Sequence, residues 1–183
     1  MSECPIYPKI DTLFERGENH KIDPANLVIR RPEFGVPECW LVTEKVDGTN
    51  VRVSLETEHQ YEDGVGADRW VVRFYGRTAN AQMPTFLLDH LQRTFTPEKM
   101  KSLWRCKNKN CHGFTTVGHL TECSEFEPYP IILYGEGYGA RIQKGGGNYR
   151  RGGDVNFRLF DVFIGGTWLR RIDVEDVARQ LGI

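Results

Sequence analysis

The sequence predicts an α+β fold in which antiparallel strands dominate and the helices are grouped. Three observations lead there. Short segments rich in Val, Trp, Phe and Tyr recur between polar or glycine-bearing turns, the pattern of antiparallel strands. Apolar residues at helical spacing are confined to two blocks, one central and one at the end of the chain. Strands and helices do not alternate regularly, which argues against a doubly wound parallel sheet. At 183 residues the chain is long enough for one well-buried domain and short for two, so a single domain over 1–183 is expected.

The strand segments come first. "CWLVTEK" (39–45), "NVRVSL" (50–55) and "RWVVRFYGRT" (69–78) read as strands, and "ETEHQYEDGVGADR" (56–69) reads as a polar hairpin loop between the last two. A helix follows in "MPTFLLDHLQRTF", where Phe86, Leu87, Leu91 and Phe95 fall near one face. A second opens in "TPEKMKSLW", with Thr96 as its cap and Pro97 in its first turn. The stretch "CKNKNCHGFTTVGHLTECSEFEPYP" has loop composition and forms a Cys/His-rich insert at 104–124. Strand signals resume in "IILYGEGYG", "NFRLFDVFI" and "TWLR". The chain closes with "DVEDVARQLGI", a helix expected to be capped by Asp173, with Val174, Val177, Ala178 and Leu181 at helical spacing.

Composition excludes several classes. With 39% hydrophobic, 27% charged and 11% aromatic residues the chain can bury a core and is not a disordered tail. No run of about 18 apolar residues occurs. The opening "MSECPIYPKIDTLFERGE" lacks the basic-then-apolar layout of a signal peptide, so a cytoplasmic protein without membrane partners is expected. Five cysteines, an odd number, then argue for reduced thiols or a metal site over a disulfide framework. The formal net charge is −1, so any grip on nucleic acid must come from a local basic patch.

The chemistry-bearing residues cluster at expected strand ends. In "EKVDGTN", Lys45 ends one strand and Gly48 permits a tight turn, so Asp47, Thr49 and Asn50 face whatever the lysine faces. An exposed lysine in a turn is ordinarily a solvated charge. The chemical reading is that its amine attacks an electrophilic phosphorus or carbonyl, which requires burial or nearby cations to depress its pKa. Arg77 stands at a strand end in "FYGRT". Glu136 lies in "LYGEGYGARIQKGGGNY", a glycine-rich turn followed by Arg141, Gln143 and Lys144, and Phe160 stands beside Asp161 in "FRLFDV".

Taken together and in this order, these motifs resemble the nucleotidyltransferase domain of ATP-dependent polynucleotide ligases, and most closely the RNA ligase 2-like branch common in phages. "KVDGTN" resembles the nucleophile motif, "GRT" the ribose-contacting motif, "YGEGYGARIQK" the next glycine-glutamate motif and "FRLFDV" the adenine-stacking motif. The likeness covers about residues 40 to 183. It implies an antiparallel-sheet-rich, ATP-grasp-like adenylation domain.

The resemblance also implies roles. Lys45 is the position that attacks the α-phosphate of ATP, expels pyrophosphate and carries AMP; AMP then passes to a 5′-phosphate RNA end, and a 3′-OH displaces it. Glu44 matches a reader of the adenine edge, although alone it is a surface carboxylate alternating with Val42. Asn50 would bond ribose or phosphate, Arg77 the ribose through a guanidinium fork, and Glu136 a ribose hydroxyl. Phe160 would stack on the adenine; Asp161 and Asp47 would orient the site or hold Mg²⁺ through water. Arg141, Lys144, Arg150 and Arg151 form a candidate patch for RNA phosphates, with solvated loop charge as the alternative.

Two departures from the family stand out. The chain stops at Ile183, before the glutamate-glycine and lysine-bearing strands a complete ligase domain carries, so an incomplete domain with weak sealing by itself is expected. A split-gene half that needs a second polypeptide, a decayed copy or a truncated piece would each fit that expectation. The second departure is the insert, where Cys106, Cys111, His119 and Cys123 offer a candidate Zn²⁺ set at a spacing that matches no common zinc motif, a reduced-thiol loop being the alternative. Rival readings are a DNA ligase, a GTP-using capping enzyme, or a non-catalytic module that binds nucleotide or RNA.

Overall fold

A computed structural model describes residues 4–62, 65–78, 80–103, 130–149 and 154–183. The contacts divide the chain into two compact units: residues 1–6 with 46–183, and residues 7–45. The larger unit is α+β. Its elements are β1 (Thr49–Glu62), β2 (Val65–Tyr75), α1 (Thr85–Thr94), α2 (Pro97–Lys101), β3 (Ile131–Gly139), β4 (Val155–Ile164), β5 (Thr167–Trp168) and α3 (Arg171–Leu181). The strands form one five-stranded sheet in the order β2-β1-β3-β4-β5, and every pairing is antiparallel.

Period-two alternation gives this sheet two faces. Val51, Val53, Leu55, Leu133, Val162, Leu159 and Phe157 point to the inner one, where they pack with Leu87, Leu91, Phe95, Met100, Val174, Val177 and Leu181 from the helices. Two glycines shape that core. A Cβ on Gly135 would collide with the Phe157 ring, and one on Gly137 would come within 2.6 Å of the Leu87 side chain, so the first glycine admits a ring from the neighbouring strand and the second a side chain from α1. Phe95 meets Phe157 edge to face, with ring centroids 5.1 Å apart.

Helix boundaries follow their local chemistry. The Thr96 side chain accepts a 3.4 Å bond from the Lys99 N–H, and Pro97 opens α2, both as expected. For α3 the cap differs from expectation. Arg170 holds the capping position with extended backbone, while Asp173 sits inside the first turn and accepts from Arg170 Nε at 3.0 Å. There the carboxylate favours the positive helix end without capping it.

Two other expectations are corrected. Residues 56–62 and 65–69 are strand rather than loop, since β1 and β2 stay paired out to Glu62↔Val65. Glu56 and Glu58, two of the polar residues that suggested a loop, share one face of the ribbon, where Arg73 bridges them at 3.3 and 2.9 Å. Residues 39–45 form no strand. Val, Trp and Leu suit a strand, but that preference forms one only where a partner is paired, and no pairing includes these residues. Finally, β5 is two residues long rather than the four of "TWLR".

The smaller unit is held by short-range bonds. Phe14 and Ile29 form an isolated antiparallel bridge, supported by Glu15 N–H to Val28 O (2.9 Å) and Arg30 N–H to Leu13 O (3.0 Å). Asp11 pairs with both Arg30 and Arg31, and a single 3₁₀ turn spans Pro32–Gly35.

Candidate functional site

The outer face of the sheet carries the polar side chains. Asn50 on β1 lies directly opposite Glu136 on β3, and Glu136 lies opposite Arg158 on β4. Residues so paired stand about 5 Å apart, so these three side chains share one row. The next row on the same face is Arg52, Tyr134 and Asp161.

The turn before β1 closes onto the first row. A Cβ on Gly48 would fall 2.7 Å from Glu136 Cγ and collide with the Gly137 carbonyl, so only glycine lets the turn approach β3 this closely. Asn50 adds a polar signal. Its Oδ1 is buried and has no hydrogen-bond partner among the described residues. A buried acceptor left unpaired costs free energy, and a ligand donor would offset it.

Arg52 anchors the second row. It is only 1% exposed; its Nε donates to the Gly76 carbonyl at 3.0 Å and its Nη1 to the Cys4 carbonyl at 2.6 Å, while the guanidinium lies 5.3 Å from the Tyr75 ring centre. Gly76 immediately precedes Arg77, so this bond holds the start of the exposed "GRT" turn. Tyr134 donates to the Pro5 carbonyl at 2.9 Å, and Ser54 and Tyr75 both donate to Glu56, at 2.5 and 2.7 Å. Burial pushes the Cys4 thiol up to about 11, with Arg52 partly opposing it. Burial, then the bond to Glu56, pushes Tyr75 up to about 12, and burial does the same for Tyr134.

Phe160 occupies a special place in β4. Tyr134 pairs with Asp161 while Gly135 pairs with Leu159, so Phe160 is the extra residue of a β-bulge. It thus interrupts the ladder beside the two rows.

Of the sequence-predicted residues, the larger unit gathers Gly48, Asn50 and Glu136, with Asp161 one row on and Phe160 at the bulge beside it. Asp47 is committed to the loop after β3, its carboxylate accepting from the Gly145 N–H at 3.3 Å. Lys45 and Glu44 belong to the smaller unit, at its junction with Val46. Arg141 is exposed, with its guanidinium 4.5 Å from the Phe86 ring centre, and Lys144 is exposed. Arg150, Arg151, Cys106, Cys111, His119 and Cys123 lie outside the described residues. Among the described residues, no group of three or more His, Cys, Asp or Glu side chains is arranged to hold a metal ion, and no helix is long and apolar enough to cross a membrane.

Sequence reading passed over Arg52, Arg158, Gln143 and Tyr149. Arg52 and Arg158 carried a usable signal, because each lies two positions from a motif residue, Asn50 or Phe160, within an alternating strand. A cavity of about 430 Å³ also exists, lined by Ile164, Leu169, Asp173, Asp176, Val177 and Gln180 among others. It lies at the Ile131↔Ile164 end of the β3–β4 pair, about 16 Å along the strand from Glu136, and none of the motif residues lines it.

No curated protein and no solved structure matches the chain. A family model does match: the one describing RNA ligases aligns with residues 38–183, which span β1 to α3 and the turn that precedes them. The chain belongs to the RNA ligase family.

Proposed function

We propose that this RNA ligase-family chain is a nucleotidyltransferase that forms a lysyl-AMP at Lys45 from ATP and passes the AMP to a 5′-phosphate RNA end. The observation that carries the reading is the meeting of the Gly48 turn, Glu136 and the unpartnered Asn50 carbonyl at one end of the outer face. Lys45 is three residues before Gly48, so chain length alone keeps their Cα atoms within about 11 Å.

In the proposed reaction the neutral Lys45 amine attacks the α-phosphorus. A P–N bond forms, the bond to the β-phosphate oxygen breaks, pyrophosphate leaves, and the amine gives up a proton. Asn50 Oδ1 would accept from a ribose hydroxyl, and the Glu136 carboxylate from another. Arg77 would donate to the ribose, Phe160 would stack on the adenine, and Glu44 would read the adenine edge. Arg158, in the same row as Glu136, is exposed and supplies a cation on the side from which phosphates would approach.

Asp161 would hold, through water, a Mg²⁺ bound chiefly by phosphates, a mode that uses only one or two carboxylates. When bound, the ion would neutralise phosphate charge as pyrophosphate departs. Lys144 and Arg141 would contact RNA phosphates.

Intact mass after incubation with ATP and Mg²⁺ tests this reading. The expected outcome is an increase of about 329 Da, mapped to Lys45 and absent with GTP. Binding of ATP with no covalent adduct would favour a non-catalytic nucleotide-binding module.

A further inference from the structure

The glycine-rich loop after β3 was assigned from sequence to RNA contact, yet its hydrogen bonds run to the turn before β1. Gln143 Nε2 donates to the Gly48 carbonyl at 3.2 Å. The Gly145 N–H donates to Asp47 Oδ2 at 3.3 Å, and the Asp47 N–H donates to the Tyr149 hydroxyl at 3.3 Å. These bonds close sequence separations of 95, 98 and 102 residues onto two consecutive turn residues.

The loop is itself well held. Ile142 is buried and its N–H bonds to the Gly139 carbonyl at 3.1 Å. Gly146 is buried where a Cβ would strike that same carbonyl. Tyr149 meets Tyr138 edge to face at 5.8 Å, and Arg141 lies over Phe86 of α1. The turn, by contrast, precedes β1 and belongs to no strand, and Gly48 gives it a permissive backbone. Untethered, such a segment samples many orientations.

We propose that Gln143, Gly145 and Tyr149 are positioning residues that latch the Asp47–Gly48 turn, so that the loop fixes the direction in which the chain delivers Lys45. The catalytic consequence rests on the adenylation reading above; the latch stands on these contacts. Its role follows from the cost of misplacing a nucleophile, which reduces rate without weakening substrate binding in proportion. It also assigns the Asp47 carboxylate to the loop rather than to Mg²⁺.

The test uses the full chain and two variants, Tyr149→Phe and Gln143→Leu. Tyr149→Phe keeps the ring that packs on Tyr138 and removes only the hydroxyl. Three readouts are needed: amide exchange at Asp47 by NMR, single-turnover AMP labelling at saturating ATP, and affinity for an ATP analogue with a methylene between the α- and β-phosphorus. We expect Tyr149→Phe to speed Asp47 amide exchange about 10-fold and to slow labelling about 10-fold, with analogue affinity changed less than about 2-fold. Gln143→Leu should show the same split between rate and affinity. Unchanged exchange at Asp47 overturns the latch, and so does an affinity loss that matches the rate loss, because the loop would then be contacting nucleotide directly. If the unmodified chain forms no AMP adduct, the adenylation reading fails, and amide exchange alone decides the latch.

Discussion

Val51 and Val53 turn one way from β1, while Asn50, Arg52 and Ser54 turn the other, and the two directions obey different rules. Both contain buried groups: the valines are 0% exposed, Arg52 1% and Ser54 4%. On the inner face burial is satisfied by shape, with branched aliphatics and two glycines making room for Phe157 and Leu87. On the outer face it is satisfied by direction, with a guanidinium, two hydroxyls and a carboxylate each needing a partner at a particular angle. A shape-filled layer tolerates swaps of similar volume. A directional layer is specific, and it is where the buried Asn50 carbonyl has no partner among the described residues.

Breaking the inner face should give the largest change. Leu91→Ala removes a fully buried side chain from α1 and should cost about 3 kcal/mol, read as a lower urea midpoint, while ATP labelling below the new transition persists. Glu136→Gln, on the outer face, should do the reverse. Labelling should fall about 100-fold with the melting temperature little changed, because the carboxylate would act on ligand more than on the sheet. A matching fall in stability would merge the two faces and defeat the contrast.

Arg52→Met should cost about 2 kcal/mol through loss of the bonds to Gly76 and Cys4, and should loosen the turn that carries Arg77. Both stability and labelling should therefore drop, which places Arg52 between the two rules. The smallest effect is on pH. The folded chain holds Cys4 at about 11 against an ordinary 9.0, and Tyr75 and Tyr134 at about 12 against 10.0. The neutral forms are thus favoured on folding, so their contribution is complete below pH 9 and is lost as pH rises toward 11 and then 12. Urea midpoints measured from pH 8 to 10.5 should decline, and Cys4→Ala should make the decline shallower.

Much of the inner face was legible in the sequence, because periods of two and 3.6 residues are local properties. Val51 to Leu55, Leu87 with Leu91, and Val174 with Val177 and Leu181 could be read without knowing any neighbour. The segment at 39–45 was misread because a strand is completed by its partner, and the Trp-Leu-Val run names none. Residues 56–69 were misread in the opposite sense, since Glu56 and Glu58 look like loop until Arg73 is seen across from them. The sequence between Glu62 and Val65 reads Asp-Gly, a dipeptide favoured in tight hairpins, and that signal outweighs local polarity.

The site was legible as a set of motifs and illegible as an arrangement. Asn50 and Glu136 stood out for their contexts, but their direct opposition depends on the register of two strands joined through α1, α2 and a long insert. Gln143 and Tyr149 gave no signal as turn contacts, because nothing within ten residues of either names Asp47 as a partner.

The bulge at Phe160 leaves β4 one residue longer than its ladder needs. On both sides of it the pairs keep their faces, Leu159 inward with Gly135 and Asp161 outward with Tyr134. A chain shortened by that residue could lay down the same hydrogen-bonded sheet, uninterrupted. Architecture and side-chain payload are therefore separable at this position, and a one-residue deletion reaches the second while sparing the first.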